Sequence, residues 1–343
     1  MGDFAWPETL SKLVRRQDLD EPEAAAAMHE IFSGSATPAQ IGGFLLALRA
    51  KGETVDEIVG LARTMRTFSK HVEVAGPLVD TCGTGGDRAG TVNISTMAAL
   101  VVAGAGVRVA KHGNRAASSK CGSADLLEAL GVAIDLEPDG VAGCIEEAGI
   151  GFCFAPVFHP AMKHAGPVRK ELGVPTVFNF LGPLTNPAGA TRQTVGVSDA
   201  AMAPKIAAAL SALGAEHAFV FRGDDGLDEL TTTTTSRVWE VRGRLVNERG
   251  FDPAELGVAL ADPADLRGGD AVHNAGVAML VLDGERGPVR DAVILNAGIA
   301  LIAAGVSPEI VDGIGRATTS IDSGAARKAL EVFRDVSQRL KTG

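Results

Sequence analysis

With 343 residues, 46% of them hydrophobic and 22% charged, the chain can bury a large core and is expected to form one large or two moderate domains. No apolar run approaches the ~20 residues that span a bilayer, and the opening MGDFAWPE lacks the basic-then-apolar form of a secretion signal, so a cytoplasmic protein is expected. A net charge of −10 argues against non-specific nucleic-acid binding, and four cysteines without a CxxC pair (Cys82, Cys121, Cys144, Cys153) argue against zinc or a disulfide framework.

The first seventy residues predict helices. One runs from Pro22 to Phe32. Thr37 before Pro38 is an N-cap followed by an N1 proline, opening a helix to about Lys51. Thr54 and Glu57 form a capping box, and Val55, Ile58, Val59, Ala62, Met65 and Phe68 share one side of the helix behind it. From about Pro77 the pattern changes to strand–helix alternation, with strands expected at 77–82, 107–111, 150–155, 193–198, 217–222 and 237–241. Helices are expected at 123–130, 161–172 and 201–213, among others. That alternation predicts a mainly parallel sheet covered on both faces. The Thr231–Thr235 run is expected to enter a strand, and residues 179–187 are a connection broken by proline and glycine.

Four polar features carry the chemistry. In DTCGTGGDRAGTVNIST (80–96), glycines at 83, 85 and 86 allow positive φ and let several N–H groups converge. Thr91, Ser95 and Thr96 stand at the start of the next helix, whose first amides lack acceptors and carry the positive end of the dipole. The combination suits a phosphate, although a plain tight turn uses the same glycines. The second feature is a basic loop within 107–119, bringing Lys111, His112, Asn114 and Arg115. Both loops fall at the carboxyl edge of a parallel sheet, where such sheets bind ligands.

The third is GDDGLDEL (223–230). Its Asp228 and Glu229 suit Mg²⁺ beside a phosphate, the alternative being a solvated acidic turn. The fourth is Arg169, on a helix that returns towards the sheet, able to clamp a carboxylate with two parallel hydrogen bonds. His159 and His164 have no metal-ligand partners in the sequence and read as ordinary loop and helix histidines. Cys82 and Cys121 read as small packed residues rather than nucleophiles.

GTGGD at 83–87, NIST at 93–96, KHGNRAASS at 111–119, GSAD at 122–125, GVPTVFNFLGPLTNP at 173–187 and DDGLDE at 224–229 resemble, in this order and spacing, the anthranilate phosphoribosyltransferase family. The resemblance covers essentially the whole chain. It implies an α/β fold: a small N-terminal all-α domain plus a larger α/β domain with a mainly parallel central sheet, the nucleoside phosphorylase and phosphoribosyltransferase type. The expected boundaries are 1–72 for the helical domain, completed by a returning segment at about 161–190, with 73–160 and 191–343 forming the α/β domain. The resemblance also implies a homodimer through the helical part, and Mg²⁺, two ions, as cofactor.

The implied reaction moves the phosphoribosyl group of 5-phosphoribosyl 1-pyrophosphate onto the amine of anthranilate, releasing pyrophosphate, in tryptophan biosynthesis. Gly83, Gly86, Asp87, Thr91, Asn93, Ile94, Ser95, Thr96, Lys111, His112, Gly113, Asn114, Arg115, Ala116, Ala117, Ser118, Ser119 and Ser123 match positions for the phosphoribosyl donor. Ser95, Asp228 and Glu229 match metal positions. Gly83, Asn114 and Arg169 match anthranilate positions, with Arg169 expected to hold the carboxylate while Asn114 and the His112 region orient the amine. Two departures stand out: Arg88 where many relatives carry glycine, and Cys121 where serine is frequent. The alternatives are a pyrimidine nucleoside phosphorylase-like enzyme and a non-catalytic nucleic-acid-binding paralogue of the same fold.

Overall fold

The computed structural model describes residues 4–116 and 119–342; Ala117 and Ser118, both expected at the donor site, lie outside the described residues. Four helices open the chain: α1 (Trp6–Val14), α2 (Glu21–Phe32), α3 (Pro38–Lys51) and α4 (Val55–Thr67). Reciprocal capping boxes start three of them, Asp20 with Glu23, Thr37 with Gln40 and Thr54 with Glu57, each satisfying amides the helix cannot. α1 has no side-chain cap and no distinctive sequence signal; Pro7 at its start and the burial of Trp6 and Leu13 define it.

The alternation then runs β1 (Val79–Gly83), α5 (Ile94–Gly104), β2 (Val109–Gly113), α6 (Ser123–Ala129), α7 (Pro138–Ala148) and β3 (Ile150–Phe154). Short helices α8 (Ala155–Phe158) and α10 (Phe178–Leu181) flank α9 (Met162–Leu172). After them come β4 (Arg192–Gly196), α11 (Ala203–Ala212), β5 (His217–Gly223), β6 (Ser236–Arg242) and β7 (Leu245–Phe251). Helices α12 (Ala271–Leu282), α13 (Pro288–Ala303), α14 (Ile310–Asp322) and α15 (Ala325–Thr342) close the chain.

One seven-stranded sheet has the order β3-β2-β1-β4-β5-β6-β7, parallel through β5 and antiparallel for β6 and β7. The connection leaving β1 leads to β2 on one side and that leaving β4 leads to β5 on the other, so the loops after this central pair diverge at the edge where a doubly wound sheet binds its ligand. The sequence pattern did not suggest β7. LVNERGF is mostly exposed and polar, and it forms a strand only because the turn at Gly243 (φ +56°) folds it back on β6. Thr231–Thr235 stays outside the sheet and leads into β6. Thr231 and Thr233 donate their hydroxyls to Asp225, and Thr235 donates to Asp224, a competition that turns the backbone away from a ladder.

The sheet separates two cores. Val79, Val109, Ile150 and Phe152 face α5, α7, α13 and α15. On the other face, Val195, Val220, Trp239 and Val241 join α11 and the opening helices, whose cluster also takes in Ala165, Val168, Phe178 and Leu181. α9 packs on α2 and α3, so the segment after β3 returns to the helical domain. Among the described residues no helix is long and apolar enough to cross a membrane.

Candidate active site

Gly83 and Gly196 pair at the ends of β1 and β4, and the loop after β5 crosses directly over them. A Cβ on Gly83 would collide with Asp228 Oδ2, and one on Gly196 would overlap the Asp228 carbonyl oxygen. Gly83 is therefore needed for this close approach rather than for positive φ. The left-handed residues of the turn are Gly85 (φ +67°) and Gly86 (φ +83°). The approach is used: the Gly85 N–H donates to Asp228 Oδ2 at 2.7 Å, and the Ser95 N–H donates to Glu229 Oε1 at 3.0 Å. The amides of the turn and of the start of α5 thus face the two carboxylates.

Burial pushes the Asp228 carboxyl up to about 7, helped by repulsion from Asp87, and pushes Glu229 well above its ordinary value, with Asp228 adding repulsion. Asp87, Asp228 and Glu229 are a crowded anionic group in a desolvated place. Among the described residues no three His, Cys, Asp or Glu side chains form a ready metal cage. Two hard carboxylates that repel one another nevertheless fit Mg²⁺, which keeps several positions for phosphate and water. Arg88, the departure from glycine, sits exposed at φ +60°, the left-handed region that glycine occupies without cost.

Asn93 is the N-cap of α5, yet its side chain does not cap the helix. Its Nδ2 donates to the Cys121 carbonyl (3.0 Å) and its Oδ1 accepts from Asn274 Nδ2 of α12 (2.9 Å). The first amides of α5 are met otherwise: the Ile94 N–H donates to the Val92 carbonyl, the Thr96 N–H to the Asn93 carbonyl, and the Ser95 N–H alone turns to Glu229. Ile94 and Thr96 are buried, and the Thr96 hydroxyl has no partner. Thr91 forms a backbone bridge with Arg267.

The basic loop differs from expectation. Lys111, His112 and Gly113 are the last residues of β2, paired with Phe152, Cys153 and Phe154 of β3. Lys111 is consequently buried; its Nζ donates to the Thr81 carbonyl at 2.5 Å, and burial lowers its pKa. It does not present an exposed charge to a phosphate. Beneath it Asp80, wholly buried, accepts the His112 N–H (3.1 Å) and Asn186 Nδ2 (2.8 Å).

The His112 ring is engaged at both nitrogens. Nδ1 meets the Gly182 carbonyl at 3.1 Å and Nε2 meets His159 Nε2 at 3.2 Å. Burial lowers the two rings to about 3 and about 4, so both are neutral at pH 7. Donation from His112 Nδ1 to a carbonyl makes its Nε2 an acceptor for the His159 N–H, leaving His159 Nδ1 as a buried acceptor without a partner. His159 is thus no ordinary loop residue, and His112 has no free nitrogen with which to orient an amine.

Beyond the strand, Asn114 is exposed; its Oδ1 accepts the Arg115 N–H (2.8 Å) and its carbonyl accepts Ser123 Oγ (3.2 Å). The Arg115 guanidinium pairs with Asp125 and Glu128, both at 2.8 Å. Asp125 Oδ2 also accepts the amides of Ala116 and Gly122, each at 2.9 Å, gathering the loop onto the start of α6. Ser119 donates to the Cys121 carbonyl. The thiols are inert, Cys82 pushed far up by burial and Cys121 to about 11.

Arg169, near the end of α9, lies over the Phe178 ring with its guanidinium carbon 5.1 Å from the centroid. It is partly buried, which lowers its pKa, and no carboxylate pairs with it among the described residues. The His159–His112 and Gly182–His112 contacts hold the segment carrying Arg169 over the end of β2. The structure therefore brings together Gly83, Gly86, Asp87, Asn93 to Thr96, Asp228 and Glu229. It turns Lys111, His112 and Arg115 to internal partners.

Sequence reasoning missed Asp80, Asn186, Asn274 and Ser198, which act through contacts made 24 to 181 positions away in the chain. Asp125 alone had a local signal, standing three residues after the helix-capping Gly122.

Fold and site define a class. Residues 7–69 match the helical bundle domain of a glycosyl transferase family, and residues 75–327 match that family's a/b domain. Anthranilate phosphoribosyltransferase from Acidothermus cellulolyticus is 59% identical, the alignment covering 97% of this chain and 96% of the relative. The enzyme of that name from Salinispora arenicola is 54% identical over 99% of each. The crystal structure of anthranilate phosphoribosyltransferase from Thermus thermophilus superposes with a TM-score of 0.91 at 45% identity, covering 96% of this chain and 99% of that one. The Saccharomyces cerevisiae enzyme in complex with PRPP and Mg gives a TM-score of 0.90 at 27% identity, covering 97% and 98%. The chain belongs to the anthranilate phosphoribosyltransferase family.

Proposed function

We propose that this chain transfers the phosphoribosyl group of 5-phosphoribosyl 1-pyrophosphate to anthranilate, with Mg²⁺ on Asp228 and Glu229. The observation that carries the reading is the seating of those two carboxylates on the amides of Gly85 and Ser95, at the carboxyl ends of β1 and β4. In the reaction the bond from the ribose anomeric carbon to pyrophosphate breaks, its electron pair leaving with pyrophosphate. A bond to the anthranilate nitrogen forms, and the nitrogen's proton is released to pyrophosphate or water. Bound Mg²⁺, two ions with Ser95 among the ligands, supplies neutralisation of the charge that builds on the leaving group.

The chain's own residues do the rest. The positive end of the α5 dipole, with Gly86, Asp87, Thr91 and Asn93, receives the donor. Arg169, placed over the Phe178 ring, takes the anthranilate carboxylate and points the amine towards Asn114 and Gly83. The amine is already nucleophilic, so orientation contributes more than a base, in keeping with neutral, fully engaged His112. Ser119, Ser123 and the backbone of 113–116 complete the ribose and phosphate side.

We further propose a cytoplasmic homodimer through the helical domain, supported by exposed Val14, Leu46 and Val174. For the domain division we keep 1–72 with 161–190, and 73–160 with 191–343. Loss of anthranilate fluorescence that requires both donor and Mg²⁺ tests the central reading. Arg169→Ala should raise the KM for anthranilate at least tenfold and leave that of the donor unchanged, since a charged hydrogen-bonded pair contributes ~1.5–3 kcal/mol. An equal rise in both would refute the assignment. Phosphorolysis of thymidine or uridine is expected to be absent.

A further inference from the structure

Between β4 and α11, Ser198 and Asp199 touch two regions that share no covalent neighbourhood. Ser198 Oγ donates to the Gly85 carbonyl at 2.7 Å, its N–H donates to Thr84 Oγ1 at 3.3 Å, and Arg222 Nε donates to its carbonyl at 2.9 Å. Gly85 is the residue whose N–H meets Asp228, so Ser198 grips the other side of the same peptide turn. One residue on, Asp199 Oδ2 pairs with Arg49 of α3 at 2.9 Å.

Arg49 is itself held firmly. Its Nη1 meets Glu53 at 3.2 Å, and its guanidinium lies over Phe180, 5.3 Å from the centroid. Glu53 is 1% exposed and its other carboxylate oxygen has no partner, so Arg49 compensates a buried charge and cannot swing away without cost. Lys205 of α11 adds a second tie, donating to the Glu53 carbonyl at 2.6 Å. A continuous path thus runs from α3 through Arg49, Asp199, Ser198 and Gly85 to Asp228.

We propose that Ser198 and Asp199 are positioning residues that make the shape of the GTGG turn depend on the docking of the helical domain. The anthranilate side, carried by the segment packed on α2 and α3, and the pyrophosphate side are thereby held in one register. The inference rests on the reading that this turn receives the phosphoribosyl donor.

The test is a double-mutant cycle on the full-length protein with Ser198→Ala and Asp199→Asn. The readouts are kcat, the KM for each substrate, and calorimetric binding of pyrophosphate with Mg²⁺, which needs no turnover. Ser198→Ala should raise the donor KM and weaken pyrophosphate about fivefold, the equivalent of one hydrogen bond, with the anthranilate KM little changed. Asp199→Asn touches no atom of the turn, yet should shift the same two quantities about threefold, and the double variant should be no worse than Ser198→Ala. An Asp199→Asn protein with wild-type donor KM, or effects that simply multiply, overturns the coupling. So does a lowered melting temperature with both KM values intact. If pyrophosphate binding shows the cycle while anthranilate is never consumed, the coupling stands and the functional reading fails.

Discussion

The two loops at the carboxyl edge of the sheet are built in opposite ways. The GTGG turn is held from outside: Asp228 and Ser198, contributed by loops far along the chain, grip the N–H and the carbonyl of Gly85. The basic loop is held from within, by Asp125 ten residues after Arg115 and by strand pairing that swallows Lys111 and His112. A loop gripped by distant elements has its shape decided before ligand arrives. A loop folded on its own acids must give up Arg115 from Asp125 and Glu128 before that cation can serve a phosphate. Exposed pairs of this kind contribute little, so the exchange is easy.

That contrast can be broken most severely at Gly196. An Ala there drives a methyl group into the Asp228 backbone, and Gly196→Ala should destabilise by ~3 kcal/mol or more in urea melts and abolish turnover. Retained stability and activity would mean the crossing loop can move aside.

A large effect is also expected at the carboxylates. The Asp228 carboxyl is raised in the folded chain from 3.8 to about 7, so its contribution to stability is complete below pH 3.8 and is lost as pH climbs to about 7. In metal-free protein, Asp228→Asn should flatten the decline in melting temperature across that window. With Mg²⁺ present the wild type should recover, because the cation favours the ionised form, and an unchanged pH profile in the variant would contradict the assignment.

The basic loop should respond more mildly. Asp125→Ala strands the amides of Ala116 and Gly122 at a cost of about 1–2 kcal/mol, raising the donor KM several-fold with the anthranilate KM unaltered. If the donor KM does not move, the internal fold of this loop is irrelevant to binding. The smallest change is expected from Arg88→Gly. It relieves a left-handed residue worth ~1–2 kcal/mol but adds unfolded-chain entropy of ~0.5–1 kcal/mol, a net gain of at most about 1.5 kcal/mol visible as a slightly higher melting temperature.

Much of this molecule was legible locally. Capping boxes at Asp20, Thr37 and Thr54 and the strand–helix alternation depend on neighbours a few residues apart, and the helices and parallel strands form where those signals stand. β7 was not legible, because an edge strand with a polar sequence is defined by its hairpin partner. The motif residues announced a phosphate site by type, but not their posture. Lys111 and His112 read as ligand donors because their side chains are polar; they turn inward because the Thr81 carbonyl takes the Lys111 ammonium while Asp80 and His159, brought in by the fold, engage His112.

By itself the sequence determined the elements, the family motifs and the chemistry available at the sheet edge, all properties of short-range spacing and residue type. Only the tertiary structure decided why Gly83 and Gly196 must lack side chains, which amides face Asp228 and Glu229, and that Ser198 and Asp199 tie the phosphate turn to α3. Those are matters of close approach between segments whose distance in space bears no relation to their distance along the chain.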